Sequence, residues 1–292
     1  MASPSLARSV WVFVLRVYFN VTFVAFLLVF TAIAHLVHLI GEKVVKSERK
    51  TNESMTTVIS SWMFWFWFKI NPHVRLCGVS KLQADFEKLS SALSAEDSLF
   101  LLNNHSSYLD PFLAITMLPS GFIKERAARC MMAANLFQIP VVGKTFQLLG
   151  SLPVHFKAQD ANSADFSVDK QAQEVTAAQV DAHLKSGGVL MVCPEGTINA
   201  EAPKLKMFRK GSFAMAQQHQ SKMWGLCMLG NFECWPKSES IGGYPCTISL
   251  ALFDLGVASP EEPAEKIAER CQLAMADKIA ELNGPMREYF LL

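Results

Sequence analysis

His105 and Asp110 lie five positions apart in the stretch LLNNHSSYLDPF, residues 101–112. An imidazole paired with a carboxylate can act as a base. The carboxylate takes the Nδ1–H, sets the tautomer and stabilises the imidazolium, leaving Nε2 to accept a proton from a hydroxyl. This is two thirds of a serine-hydrolase triad, with the hydroxyl supplied by the substrate. On these residues alone, a working pair and a capped structural histidine both stay open. A second group is LMVCPEGT (190–197), a strand running into a tight turn, followed by Lys204, Lys206, Arg209 and Lys210. Turn amides beside such cations make an anion site, whereas a solvated basic face is the plainer alternative. A third stretch, from IPVVG (139–143) to GSLPVHFK (150–157), ends in the cation Lys157 after a strand.

These residues need elements to hold them. Ser98–Asn103 reads as a strand, Asn103-Asn104 ends it, and Ser106 or Ser107 can cap the helix that follows. Pro111 fits only the first turn of that helix, with Asp110 about one turn in. His105 then sits at the carboxyl end of a strand beside a helix N-terminus, where open α/β sheets bind ligands. Further strands are expected at Val74–Val79, Leu152–Phe156, Gly188–Cys193, Trp224–Leu229 and Thr247–Phe253, and helices at Lys170–Lys185 and Glu261–Leu282. Polar loops are expected at Ser91–Asp97, Gln159–Asp169 and Lys237–Gly243. The pattern from residue 72 to 292 is that of one α/β domain.

The first 71 residues read differently. Val17–Ile40 carries no formally charged residue and spans ~36 Å as a helix, enough to cross a bilayer core, so a transmembrane helix is expected over 9–41. A cleaved signal peptide, with Ala32 and Ala34 flanking its site, is the competing reading. His35 and His38 are expected at the membrane interface. Residues 55–70, dense in Trp62, Trp65 and Trp67, read as an interfacial or re-entrant helix. Lys43, Lys46, Arg49 and Lys50 follow the first helix, against Arg8 and Arg16 before it, which places the rest of the chain on the cytosolic side.

Composition narrows the classes. Across 292 residues the net charge is +1, so no global field favours nucleic acid, and 51% hydrophobic against 18% charged residues suggests contact with lipid. The seven cysteines contain no C-x-x-C pair and read as free thiols in a reducing compartment. No G-x-S-x-G elbow supports a lipase, and a non-catalytic membrane scaffold would predict a broken His/Asp motif.

NHSSYLD (104–110), IPVVG with GSLPVHFK, and PEGT (194–197) followed by KLKMFRKGSF (204–213) resemble, in order and spacing, the glycerolipid acyltransferase family. Its best-known members are the lysophosphatidate acyltransferases. The resemblance implies an α/β domain with a mixed sheet flanked by helices, on a two-helix membrane motif. It also implies acyl transfer from acyl-CoA, as co-substrate, to a glycerolipid hydroxyl, giving phosphatidic acid from lysophosphatidate, without metal or other cofactor. Glycerol 3-phosphate or a lysophospholipid such as lysophosphatidylcholine is the alternative acceptor, and the endoplasmic reticulum is the membrane expected among endoplasmic reticulum, mitochondrial and bacterial inner membranes. His105 would be the base and Asp110 its partner. Glu195, Gly196 and Thr197 would shape the acceptor site, and Lys157, Lys206, Arg209 and Lys210 are the candidate phosphate contacts. Three positions depart from the family pattern: Ile198 stands where arginine is usual, and Ala133 and Asn135 where lysine and glutamate are.

Overall fold

The computed structural model describes residues 6–157 and 168–286. Two helices lead, α1 (Leu6–Ile40), which runs on through a wide turn at Gly41–Val45, and α2 (Arg49–Ile70). There follow β1 (Val74–Cys77), α3 (Val79–Ala92), β2 (Leu99–Asn103), α4 (Asp110–Met117), α5 (Ser120–Arg126) and β3 (Ala128–Ala133). Next are α6 (Val142–Leu148), β4 (Leu152–Val154), α7 (Lys170–Lys185), β5 (Val189–Val192) and α8 (Lys210–Gln218). The chain closes with β6 (Lys222–Leu229), α9 (Asn231–Cys234), β7 (Cys246–Val257) and α10 (Ala264–Met286).

The strands form one mixed sheet in the order β1-β7-β6-β2-β5-β3-β4. β6 and β7 are antiparallel while the other neighbours are parallel, so β6, β2, β5, β3 and β4 all point one way. LFLLN of β2 is buried at every position, as a central parallel strand covered on both faces requires. One apolar cluster joins that sheet to α1–α6 and another joins its opposite face to α7, α8 and α10. On α10, Ile267, Cys271, Met275 and Ile279 form the expected buried stripe. All seven cysteines are free thiols.

Several expectations change. β3 was not foreseen: ARCMMA is short, carries the half-buried Arg129 at its second position, and follows directly on α5. Val74–Val79 and Leu152–Phe156 are shorter as strands, the first ending at Gly78, whose φ of 83° turns the chain. Most of the expected loop Gln159–Asp169 lies outside the described residues. The aromatic helix starts at Arg49, not 55. Its polar first half is buried because its hydroxyls are satisfied locally: Thr56 and Thr57 donate to the carbonyls of Asn52 and Glu53 (2.8 and 2.9 Å). Glu53 accepts from Arg49 (2.8 Å) and from Arg129 on β3 (2.5 Å).

α1 is the one described helix long and apolar enough to cross a membrane. It does not stand clear of the domain. Phe19, Phe23, Leu27, Phe30, Ala34 and His38 form a stripe buried in the domain's own core. Arg16 reaches Glu239 (2.9 Å) and His38 Nε2 contacts the Leu148 carbonyl (3.0 Å), so His38 is a buried contact and not an interfacial one. Between those two contacts the helix runs ~33 Å along the domain. Its other face exposes Val14, Val21, Val24, Leu28 and Leu36, an uncovered apolar strip.

His183 on α7 supplies a pH dependence. Its ring is buried against β5, where Nε2–H donates to the Val189 carbonyl (2.9 Å), and burial pushes its pKa down from 6.5 to about 4. A depressed histidine contributes stability that is present above its ordinary pKa and is lost as pH falls toward the folded value. At ~1.4 kcal/mol per unit, denaturation experiments should show a loss of about 3 kcal/mol on acidification from pH 6.5 to 4, absent in His183→Gln.

Candidate active site

Three neighbouring strands, β6, β2 and β5, deliver their carboxyl ends to one place, and each hands over a short polar segment. At the end of β2, the Asn104 side chain continues the ladder to β6. Its amide donates to the Met228 carbonyl (2.8 Å) and its oxygen accepts from the Met228 N–H (2.7 Å). The main chain is thereby released from the sheet one residue before His105.

His105 Nδ1–H donates to Asp110 Oδ2 at 2.9 Å, the hydrogen being placed there because a carboxylate can only accept. The Asp110 side chain is 1% exposed and that of His105 19%, so the base faces outward from a buried anchor. Asp110 opens α4 instead of sitting a turn inside it. The serines do not cap the helix through their hydroxyls; the roles are reversed. Asp110 Oδ2 accepts the N–H groups of Ser106 (2.7 Å) and Ser107 (2.9 Å), which folds the loop around the carboxylate. Ser107 Oγ instead donates to the Trp235 carbonyl (2.9 Å). Trp235 packs edge-on against Phe19 and Phe23, which ties α1 to the loop that carries the base.

From β5 comes the PEGT turn. Glu195 is 2% exposed, and its carboxylate is engaged entirely within the protein. Oε1 accepts from the His105 N–H (2.8 Å), and Oε2 accepts from Asn199 Nδ2 (2.9 Å) and the Lys206 N–H (2.9 Å). Asn199 N–H completes the hold by donating to the His105 carbonyl (2.7 Å). Both peptide groups of His105 are therefore held by the turn, and Glu195 clamps the main chain of His105. Burial pushes its carboxyl upward, against hydrogen bonds that favour the ionised form. Part of that burial is apolar: a small cavity of about 10 Å³ beside Glu195 and Ser106 is lined in part by Leu205, Phe232 and Ile279. Desolvation likewise pushes the thiol of neighbouring Cys193 well above its ordinary value, so it is no thiolate nucleophile.

The cations separate into two groups. Lys206 Nζ donates to Thr197 Oγ1 and the Ile198 carbonyl (both 3.2 Å), and Arg209 Nε lies over Gly196, donating to the Glu195 carbonyl (3.4 Å). The φ of 76° at Gly196 needs glycine, and a Cβ there would meet the Arg209 side chain at 2.5 Å. Lys210 is turned away to an ion pair with Glu265 on α10 (2.8 Å). Lys157 is exposed beyond the end of β4, three strands from β2 or ~14 Å across the sheet, and is not brought to His105. Ala133, one of the departures, ends β3 opposite Val154. Sequence reasoning missed Asn199 and a second asparagine, Asn231, which donates to Asp110 Oδ1 from α9. Neither carries a spacing signal that sets it apart from any loop asparagine.

Residues 85–229 match the family model described as Acyltransferase. Among solved structures, the 1-acyl-sn-glycerophosphate (LPA) acyltransferase PlsC from Thermotoga maritima superposes with a TM-score of 0.69 at 15% identity, covering 95% of this chain and 98% of that one. No curated protein sequence matches the chain.

Proposed function

We propose that this chain, whose residues 85–229 match the Acyltransferase family model, is a glycerolipid acyltransferase that moves a fatty acyl group from acyl-CoA to the sn-2 hydroxyl of 1-acylglycerol 3-phosphate, giving phosphatidic acid. The observation that carries this reading is the outward-facing His105 held on a buried, fully engaged Asp110. His105 Nε2 takes the proton of the acceptor hydroxyl as its oxygen attacks the thioester carbonyl. The tetrahedral intermediate then expels the CoA thiolate, which recovers the proton from the imidazolium. Attack is direct, because the hydroxyl that a hydrolase supplies from serine comes here from the substrate.

Lys206 and Arg209 are the cations placed to receive the acceptor's phosphate, standing at the turn where Ile198 replaces the family's usual arginine. Lys206→Met should raise the acceptor KM at least ~10-fold while kcat stays within ~3-fold, since a phosphate distant from the reacting bond is held alike in ground and transition states. Lys210→Met should change neither. The apolar outer strip of α1, with Lys43, Lys46 and Arg49 just beyond it, supports work at a membrane, which we assign to the endoplasmic reticulum with the catalytic domain on the cytosolic side.

The reading is tested by supplying labelled oleoyl-CoA with lysophosphatidate, glycerol 3-phosphate or lysophosphatidylcholine in turn and identifying the product. Label in phosphatidic acid, releasable by an sn-2-specific phospholipase, is the expected result. Label in the product of another acceptor would replace the assigned acceptor.

A further inference from the structure

Asp110 is held by more than its own loop. Oδ2 accepts from His105 Nδ1 (2.9 Å), Ser106 N–H (2.7 Å) and Ser107 N–H (2.9 Å), all within five residues of it. Those three contacts converge on one oxygen and come from the same loop as the carboxylate, so they orient it relative to that loop. The remaining oxygen, Oδ1, accepts from Asn231 Nδ2, which comes from a different strand end 121 residues away in sequence. Asn231 is 0% exposed and follows Gly230, whose φ of 96° makes the sharp exit from β6; a Cβ there would meet the Thr247 carbonyl at 2.1 Å. The amide is thus fixed in place by the sheet.

The other end of the same amide is informative. Asn231 Oδ1 is buried without a hydrogen-bond partner. Reversing the amide would set its oxygen against the carboxylate of Asp110, two acceptors facing each other, so the orientation is determined. A side chain present only to fill space would carry no unmet acceptor, because an apolar one of that size would pack there without it. The asparagine's stability cost is explained by what it donates to.

We propose that Asn231 is a positioning residue for the base: its amide fixes the plane of the Asp110 carboxylate, so that Oδ2 stays aligned with the Nδ1–H of His105 and Nε2 keeps its aim. The family match ends at residue 229, two positions before Asn231, so the catalytic arrangement of this chain extends past the matched region. The inference rests on the reading of His105 and Asp110 as the working pair and adds a third member to it.

The test is a double-mutant cycle on the full chain in membranes, with Asn231→Leu, Asp110→Ala and the double variant assayed against wild type. Asn231→Leu should lower kcat roughly 10- to 100-fold, the range that a hydrogen bond to a charged group corresponds to. The KM values of donor and acceptor should stay within ~2-fold, and the thermal midpoint should fall, because Asp110 Oδ1 loses its buried donor. On the Asp110→Ala background the same substitution should have no further effect on kcat, because its target is gone. Should leucine not be accommodated, Asn231→Ala is read by the same comparison. A wild-type kcat in Asn231→Leu, or a loss of equal size on both backgrounds, would overturn the inference while leaving the His105–Asp110 pair intact. Full activity in Asp110→Ala alone would remove the pair and Asn231's role with it.

Discussion

His105→Ala should lower turnover by at least ~100-fold, and by as much as ~10⁴-fold, with little change in either KM or in thermal stability. The scale follows from removing the group proposed to take the acceptor's proton; the expectation of an intact fold follows from how the residue is held. Its N–H and C=O are bound by Glu195 and Asn199 through the main chain, which alanine keeps. Asp110 loses one of its donors but retains Ser106, Ser107 and Asn231. The variant is therefore a chemical deletion more than a structural one. Steady-state kinetics beside a thermal melt checks both halves, and a kcat loss below tenfold would mean that another group takes the proton.

Glu195→Ala should fail in a different way. Truncation strips the acceptor from three donors at once, the His105 N–H, Asn199 Nδ2 and the Lys206 N–H, in a site with almost no access to water. A loss of about 3 kcal/mol in unfolding free energy is expected, since each buried donor left unmet costs ~1–3 kcal/mol and part of the loop can relax. Activity should fall ~100-fold through kcat, because a base displaced by about 1 Å no longer meets the hydroxyl in line. The acceptor KM distinguishes the roles. A clamp leaves it nearly unchanged, whereas a residue touching the acceptor would raise it with stability held.

The parts of this arrangement that were legible in the sequence are those governed by local pattern. LFLLN into NHSSYLD reads as a buried strand breaking into a polar loop, and it is β2 delivering His105. Lys170–Lys185 and the α10 stripe follow helical periodicity and appear where periodicity puts them. What was not legible depends on contacts between distant segments. The helix expected over 55–70 extends back to Arg49, because Arg129 arrives from β3 to pair with Glu53 and the threonines turn inward on their own helix. Lys210 and Arg209 are adjacent in sequence and opposite in use, because helix geometry sends one toward Glu265 and the other over Gly196. The family resemblance implies only an acceptor-site role for Glu195; its contact with the main chain of His105 depends on the pairing of β2 with β5.

α1 is the clearest case of a correct composition and an incomplete picture. Its length and hydropathy fit a membrane helix, yet the spacing of Phe19, Phe23, Leu27 and Phe30 is also the stripe that enters the domain core. Through Trp235 and Ser107 that core reaches the loop of the base. The long apolar helix and the loop that carries His105 are thus parts of one packed unit.

The most direct test of the central claim follows CoA thiol release in membranes holding equal amounts of wild type and His105→Ala, supplied with oleoyl-CoA with and without lysophosphatidate. The predicted result is release by the wild type that requires lysophosphatidate and is reduced at least ~100-fold by the substitution. Release of the same size from both proteins, with lysophosphatidate present, would contradict the assignment of His105 as the base of an acyl transfer.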